Sequence, residues 1–225
     1  MVYTQIELQQ VLATKKNPLT DEIWNAMKKY TMTDKKRVNA LINTIEYTIS
    51  NNIDGDFVEC GVWRGGNIMV MIMVLQKLGL KRRIWLYDTF EGMSEPTEED
   101  LHKGKHAQDM MDKNPFIKCI ATIDKVKKNI DALNYEGELV YVQGKVEDTI
   151  PGQAPDKIAL LRLDTDWYES TKHELVHLYP LLEEPGVMIV DDYNFWDGST
   201  KAVNEYFPGG KEVTKISSCG VLTIK

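Results

Sequence analysis

At 225 residues, with 43% hydrophobic and 27% charged side chains and a formal net charge of −7, the chain has the length and balance of one globular domain with a sizeable core. The acidic balance argues against a nucleic-acid partner, because phosphate affinity is carried by clustered Lys and Arg. Cys60, Cys119 and Cys219 show no CxxC spacing, which excludes a disulfide framework and a cysteine zinc site.

The segment from Met1 to Thr14 mixes Gln and Glu with apolar residues, so it lacks the apolar core of a signal peptide. The longest apolar stretch, Ile68 to Leu75, falls well short of the roughly 20 residues needed to span a bilayer. A cytoplasmic protein without a membrane partner is expected. The basic runs Lys35-Lys36-Arg37 and Lys81-Arg82-Arg83 are short and read as solvated faces.

Residues 19–50 read as helical. Val38, Leu41, Ile42, Ile45 and Ile49 recur near helical period behind Asp34, an N-cap. Residues 1–50 are therefore assigned to an N-terminal helical lid, and 51–225 to the main domain. From residue 56 short apolar runs alternate with helix candidates. The runs are Phe57-Val58, Ile84 to Tyr87, Leu139 to Val142, Ile158 to Leu163 and Val187 to Val190; the helices are 66–78, 118–133, 169–182 and 199–207. Unbroken apolarity implies strands covered on both faces, hence a mostly parallel sheet with helices on either side. Val213 to Ser217 and Gly220 to Ile224, joined at Ser218-Cys219, read as a terminal antiparallel hairpin. The polar stretch 91–115 is long enough to cover a cleft. The fold class is thus α/β with a Rossmann-like sheet.

The first strand ends in Glu59-Cys60-Gly61-Val62-Trp63-Arg64-Gly65-Gly66. A dinucleotide site needs G-x-G-x-x-G so that the backbone can approach a pyrophosphate, and here Trp63 occupies the second glycine's place. Glu59, Gly61 and Gly65 form instead an acidic-x-G-x-x-x-G pattern, suited to the ammonium, carboxylate and sulfonium of S-adenosylmethionine. Asp88 ends the second strand, 22 positions beyond Gly66, where an acid accepts from ribose hydroxyls. Lys145 and Val146 follow the third strand and border the expected adenine position; Glu147 and Asp148 read equally as a helix-capping turn.

Two further strand ends carry acids, Asp164-Thr165-Asp166 and Asp191-Asp192. Unneutralised carboxylates at one sheet edge repel, and a hard divalent cation removes the conflict. Such a cation would also acidify a hydroxyl acceptor, while a carboxylate outside its coordination sphere takes the proton. His173 and His177 have metal-compatible spacing but fall away from this edge.

Taken together, Tyr30-Thr31-Met32-Thr33, Asp56 to Gly66, Asp88-Thr89-Phe90-Glu91-Gly92, Leu161 to Thr171, Leu178-Tyr179-Pro180 and Val190 to Tyr193 resemble the macrocin O-methyltransferase (TylF-type) family. The resemblance implies a class I methyltransferase fold, S-adenosylmethionine as donor, Mg²⁺, and a hydroxyl acceptor on a sugar or glycosylated metabolite. Carried over by motif, it implies Asp164, Asp191 and Asp192 as metal ligands and Asp166 as general base, with Asp164 also catalytic. It further implies Thr31, Met32, Glu59, Gly61, Arg64 and Asp88 as cofactor contacts. Cys60, Thr165 and Trp167 depart from the family pattern, on the acceptor side. A small-molecule acceptor is the expected partner, and homo-oligomerisation through the lid helices is compatible with the sequence.

Overall fold

The computed structural model describes residues 3–225. Three helices come first: α1 (Gln5–Thr14), α2 (Thr20–Met27) and α3 (Lys35–Ser50). Then follow β1 (Asp56–Cys60), α4 (Gly66–Lys77) and β2 (Ile84–Asp88). A covering segment holds the two-residue strands β3 (Leu101–His102) and β4 (Lys105–His106) and helix α5 (Ala107–Lys113). The chain returns to the sheet with α6 (Ile123–Asp131), β5 (Leu139–Gln143), α7 (Val146–Thr149), β6 (Ile158–Leu163), α8 (Tyr168–His177) and β7 (Leu182–Val190). It ends with α9 (Asp197–Tyr206), β8 (Thr214–Lys215) and β9 (Val221–Ile224).

The seven-stranded sheet runs in the order β5-β2-β1-β6-β7-β9-β8. Its first five strands are parallel, and β9 lies antiparallel to both β7 and β8. Successive residues of the central strands enter opposite cores. Phe57 and Leu160 join one buried cluster, Val58 and Leu161 the other, which is why these strands read as unbroken apolar runs. The parallel register sets Cys60 level with Tyr87 and Leu163, and Leu163 level with Val190. The residues that follow them, Gly61, Asp88, Asp164 and Asp191, therefore emerge together at one edge.

Asp34 caps α3 as the sequence predicts, accepting from the amides of Lys36 and Arg37 at 2.8 and 3.0 Å, and the helical stretch before it is the shorter α2, which stops at Met27. The N-terminal helices pack against the sheet: Leu12, Ile23, Met27 and Ile42 share one buried cluster with Phe57, Leu86 and Ile189. One expectation changes: the stretch 169–182 divides, because Tyr179–Leu181 forms a 3₁₀ turn and β7 begins at Leu182. No helix among the described residues is long and apolar enough to cross a membrane.

The loop after β1 passes close to the loop after β6. Gly61 has φ +82°, and a Cβ there would stand 2.1 Å from the Asp164 carbonyl oxygen. Gly61→Ala is expected to cost roughly 3 kcal/mol, from the left-handed backbone plus the overlap, measured as a lower midpoint in urea unfolding.

Candidate active site

The carboxyl edge of the sheet opens into a cavity of about 350 Å³. Thr31, Met32, Gly61, Asp88, Lys145 and Val146 line it, as do Asp164, Asp166, Asp191 and Asp192. Glu59, Arg64 and Gly65 are not in its wall. Glu59 is fully buried and turns to Arg162 (2.6 Å) and to the amide of Asn67 (3.2 Å), so Asn67 lines the cavity in its place. Arg64 stacks over Trp63 at 4.4 Å and reaches the Lys29 carbonyl. Gly65 packs near Ile130 and Val126 of α6.

Asp88 is held by the loop it faces. Its Oδ2 accepts from the amides of Val62 (2.8 Å) and Trp63 (2.9 Å), and its Oδ1 from that of Phe90 (2.7 Å). Burial raises its pKa against these three donors. Tyr30 to Thr33 also lines the cavity; the Gly66 amide donates to the Tyr30 carbonyl, and the Thr33 hydroxyl donates to Asp191.

The acids form two groups. Arg162 is 2% exposed in the otherwise apolar strand β6. It donates to Glu59 and to Asp164, each at 2.6 Å, and to Asp191 Oδ1. Arg37 of α3 takes the other oxygen of Asp191. The second group is Asp164, Asp166 and Asp192, with one carboxylate oxygen from each lying within 4.8 Å of the others. The sequence reading set Asp191 beside Asp164 and Asp192. In the structure Asp166 takes that corner, because both Asp191 oxygens are committed to guanidinium groups.

Burial pushes the Asp166 carboxyl up to about 7, and neighbouring carboxylates add to the rise. Burial likewise raises Asp164 and Asp192 well above the usual carboxylate range. Asp192 Oδ2 is buried without a hydrogen-bond partner among the described residues. Asp166 itself sits at φ +72°, a backbone region costly for a non-glycine residue and concentrated at functional sites. These are the properties of mutually repelling carboxylates whose charge is incompletely neutralised.

Sequence reasoning missed three contributors. A lone arginine in Ile158-Ala-Leu-Leu-Arg-Leu163 was a legible signal for Arg162, because a charge inside a buried strand needs partners. Arg37 lay in a run read as a solvated face. Glu174 of α8 is fully buried; it accepts from the Thr165 hydroxyl at 2.9 Å and steadies the residue between two of the acids. Burial raises its carboxyl well above the usual range.

The covering segment is a folded cap. Asp100 is fully buried and accepts from the Tyr168 amide (2.8 Å) and from Thr97. His102 stacks on Phe195 at 4.2 Å. Met111 packs with Trp167 and Trp196 in a small core of its own.

A parallel sheet closed by an antiparallel terminal strand, with an acid at the second strand end and a carboxylate cluster beside it, defines a class I methyltransferase. The family pattern described as Macrocin-O-methyltransferase (TylF) matches residues 3–219, and the chain belongs to that family: it is an O-methyltransferase. It is 34% identical over 179 residues, 79% of its length and 67% of the relative's, to the 8-demethyl-8-(2,3-dimethoxy-alpha-L-rhamnosyl)-tetracenomycin-C 4'-O-methyltransferase of Streptomyces olivaceus. Over the same shares it is also 34% identical to the demethyldecarbamoylnovobiocin O-methyltransferase of Streptomyces niveus. The solved O-methyltransferase NovP superposes with a TM-score of 0.78 at 28% identity, covering 98% of this chain and 96% of that one.

Removing the Arg162 cation leaves the buried Glu59 and Asp191 and the half-buried Asp164 short of a partner. Arg162→Met is expected to lose about 3–5 kcal/mol of stability, read by urea unfolding at neutral pH.

Proposed function

We propose that the chain transfers the methyl group of S-adenosylmethionine to a hydroxyl of a small molecule, a sugar or glycosylated metabolite, with the help of Mg²⁺. The observation that carries this reading is the convergence of Asp164, Asp166 and Asp192 in the same cavity as Asp88. The names of the two curated relatives, both O-methyltransferases of glycosylated or antibiotic molecules, support the acceptor class.

In this reading Asp88 accepts from the ribose hydroxyls, and Lys145 and Val146 border the adenine. Thr31, Met32 and Gly61 enclose the methionine portion. Glu59, Arg64 and Gly65 act at one remove: Glu59 through Asn67 and Arg162, Arg64 through Trp63, and Gly65 through the turn into α4.

Three converging carboxylate oxygens and the unpartnered Asp192 Oδ2 fit a hard divalent cation with oxygen ligands. Asp164 and Asp192 would hold it, and Arg162 and Arg37 keep Asp191 beside them as a fixed counter-charge. When bound, the cation lowers the pKa of a hydroxyl positioned against it. Asp166 takes the proton from the acceptor hydroxyl onto its carboxylate. The oxygen attacks the methyl carbon in line, an O–CH₃ bond forms as the S–CH₃ bond breaks, and sulfur keeps the electron pair in S-adenosylhomocysteine. The three free thiols suit a reducing, cytoplasmic setting.

Methyl transfer to a panel of hydroxylated sugars and glycosides, followed as a mass gain of one CH₂, is expected to stop with chelator and return with Mg²⁺. Asp164→Asn and Asp192→Asn are expected to lose Mg²⁺ binding in calorimetry. Asp166→Asn is expected to keep Mg²⁺ and S-adenosylhomocysteine affinity while turnover falls about 10³-fold. Loss of Mg²⁺ affinity in that variant makes Asp166 a ligand instead, and undiminished turnover removes it from the chemistry.

A further inference from the structure

A second hollow lies behind the wall of the reaction cavity. It encloses about 370 Å³, within the size range of small-molecule sites. The two share Tyr30, and elsewhere the chain divides between them. Trp63 and Cys119 line the reaction cavity, while their neighbours Arg64 and Ile120 line the hollow. One wall thus has a face toward each.

The two faces carry opposite charge. Six acids line the reaction cavity: Asp88, Glu147, Asp164, Asp166, Asp191 and Asp192. Among the described residues no acid lines the hollow, and four cations do: Lys29, Arg64, Lys125 and Lys128. They come from three segments, the turn after α2, the loop after β1 and helix α6. None of the four pairs with a carboxylate among the described residues. Asp124 and Asp131, the acids of α6, stand outside the lining. Four uncompensated cations around one concavity repel each other until an anion sits between them.

The donors include directed ones. Arg64 is half-buried; its guanidinium is held over Trp63 at 4.4 Å and donates to the Lys29 carbonyl at 3.5 Å, while Asn129 donates to the Arg64 carbonyl at 3.1 Å. Most of the guanidinium N–H groups stay available for the forked contact that phosphate oxygens accept. Ile120 and Ala121 lead from the hollow into α6, whose N-cap Thr122 makes no side-chain hydrogen bond to the first turn. The positive end of that helix adds to the field of the four side chains.

We propose that this hollow binds a phosphate or diphosphate group, free or carried on a small metabolite, at a site separate from the reaction cavity. The site does not depend on the methyl-transfer reading above.

Metal-free, full-length protein is titrated by calorimetry with inorganic phosphate, pyrophosphate and glucose 6-phosphate. Salt is kept at about 0.15 M, where exposed charges more than roughly 8 Å apart are screened. Pyrophosphate is expected to bind one per chain and more tightly than phosphate. Lys125→Ala combined with Lys128→Ala is expected to weaken it at least tenfold. Lys15→Ala combined with Lys16→Ala, which removes the same charge from an exposed turn outside the hollow, is expected to change it less than about twofold. Saturating S-adenosylhomocysteine is expected to leave pyrophosphate bound, and both double variants to keep the S-adenosylhomocysteine affinity of the parent, which reports an intact fold. Glucose 6-phosphate binding more tightly than phosphate upholds the site and assigns it to a phosphorylated metabolite; the reverse order upholds it for the free ion. No pyrophosphate binding, equal losses in the two double variants, or displacement of pyrophosphate by S-adenosylhomocysteine overturns the proposal.

Discussion

One buried guanidinium organises this molecule. Arg162, enclosed in the central sheet, holds Glu59 from β1, Asp164 from its own strand end and Asp191 from the end of β7. A charge removed from water at that depth is tolerated only when its hydrogen bonds are met by opposite charge. Meeting them draws three carboxylates from three chain segments to one point. Arg37 adds a second cation from a helix far earlier in the chain. Five acids, Glu59, Asp164, Asp166, Asp191 and Asp192, gather around two arginines, and Asp164, Asp166 and Asp192 are left facing a cavity with incomplete compensation.

In the proposed reaction that imbalance is the basis of the chemistry. The Arg162 side of the cluster is neutralised and rigid, whereas the Asp166 and Asp192 side keeps an unpartnered buried oxygen and raised proton affinity. A rigid half fixes geometry, and an undercompensated half recruits a cation or a proton. Thr165, pinned by Glu174, separates Asp164 from Asp166, so the left-handed backbone at Asp166 turns the second carboxylate back toward the first. Strain of this kind persists only where surrounding contacts over-determine it.

The cap performs a complementary task. Asp100 bonds the 91–118 stretch to the start of α8, and His102 clamps it to the loop that carries Asp192 and Phe195. Phe195, Trp196 and the acid cluster are thereby parts of one packed unit, joined by the loop that begins at Asp192.

Much of this was legible in the sequence. Unbroken apolar runs, glycines after the first strand and acids at three strand ends specify a parallel sheet with its chemistry at the carboxyl edge, since those features follow from local backbone preference and two-sided burial. Asp88, Asp164, Asp166 and Asp192 could be picked from their places beside the strands. What the tertiary structure alone decided is the partnership of side chains. Arg37 is separated from Asp191 by 154 positions and Arg162 from Glu59 by 103, and no periodicity reports such pairings. Asp191 and Asp192 are adjacent in sequence yet fall to different neighbours, one to arginines and one to acids, because consecutive residues leaving a strand point to different sides. Strand pattern located the edge; the packing of distant charges against one another settled which acids remain free to act there.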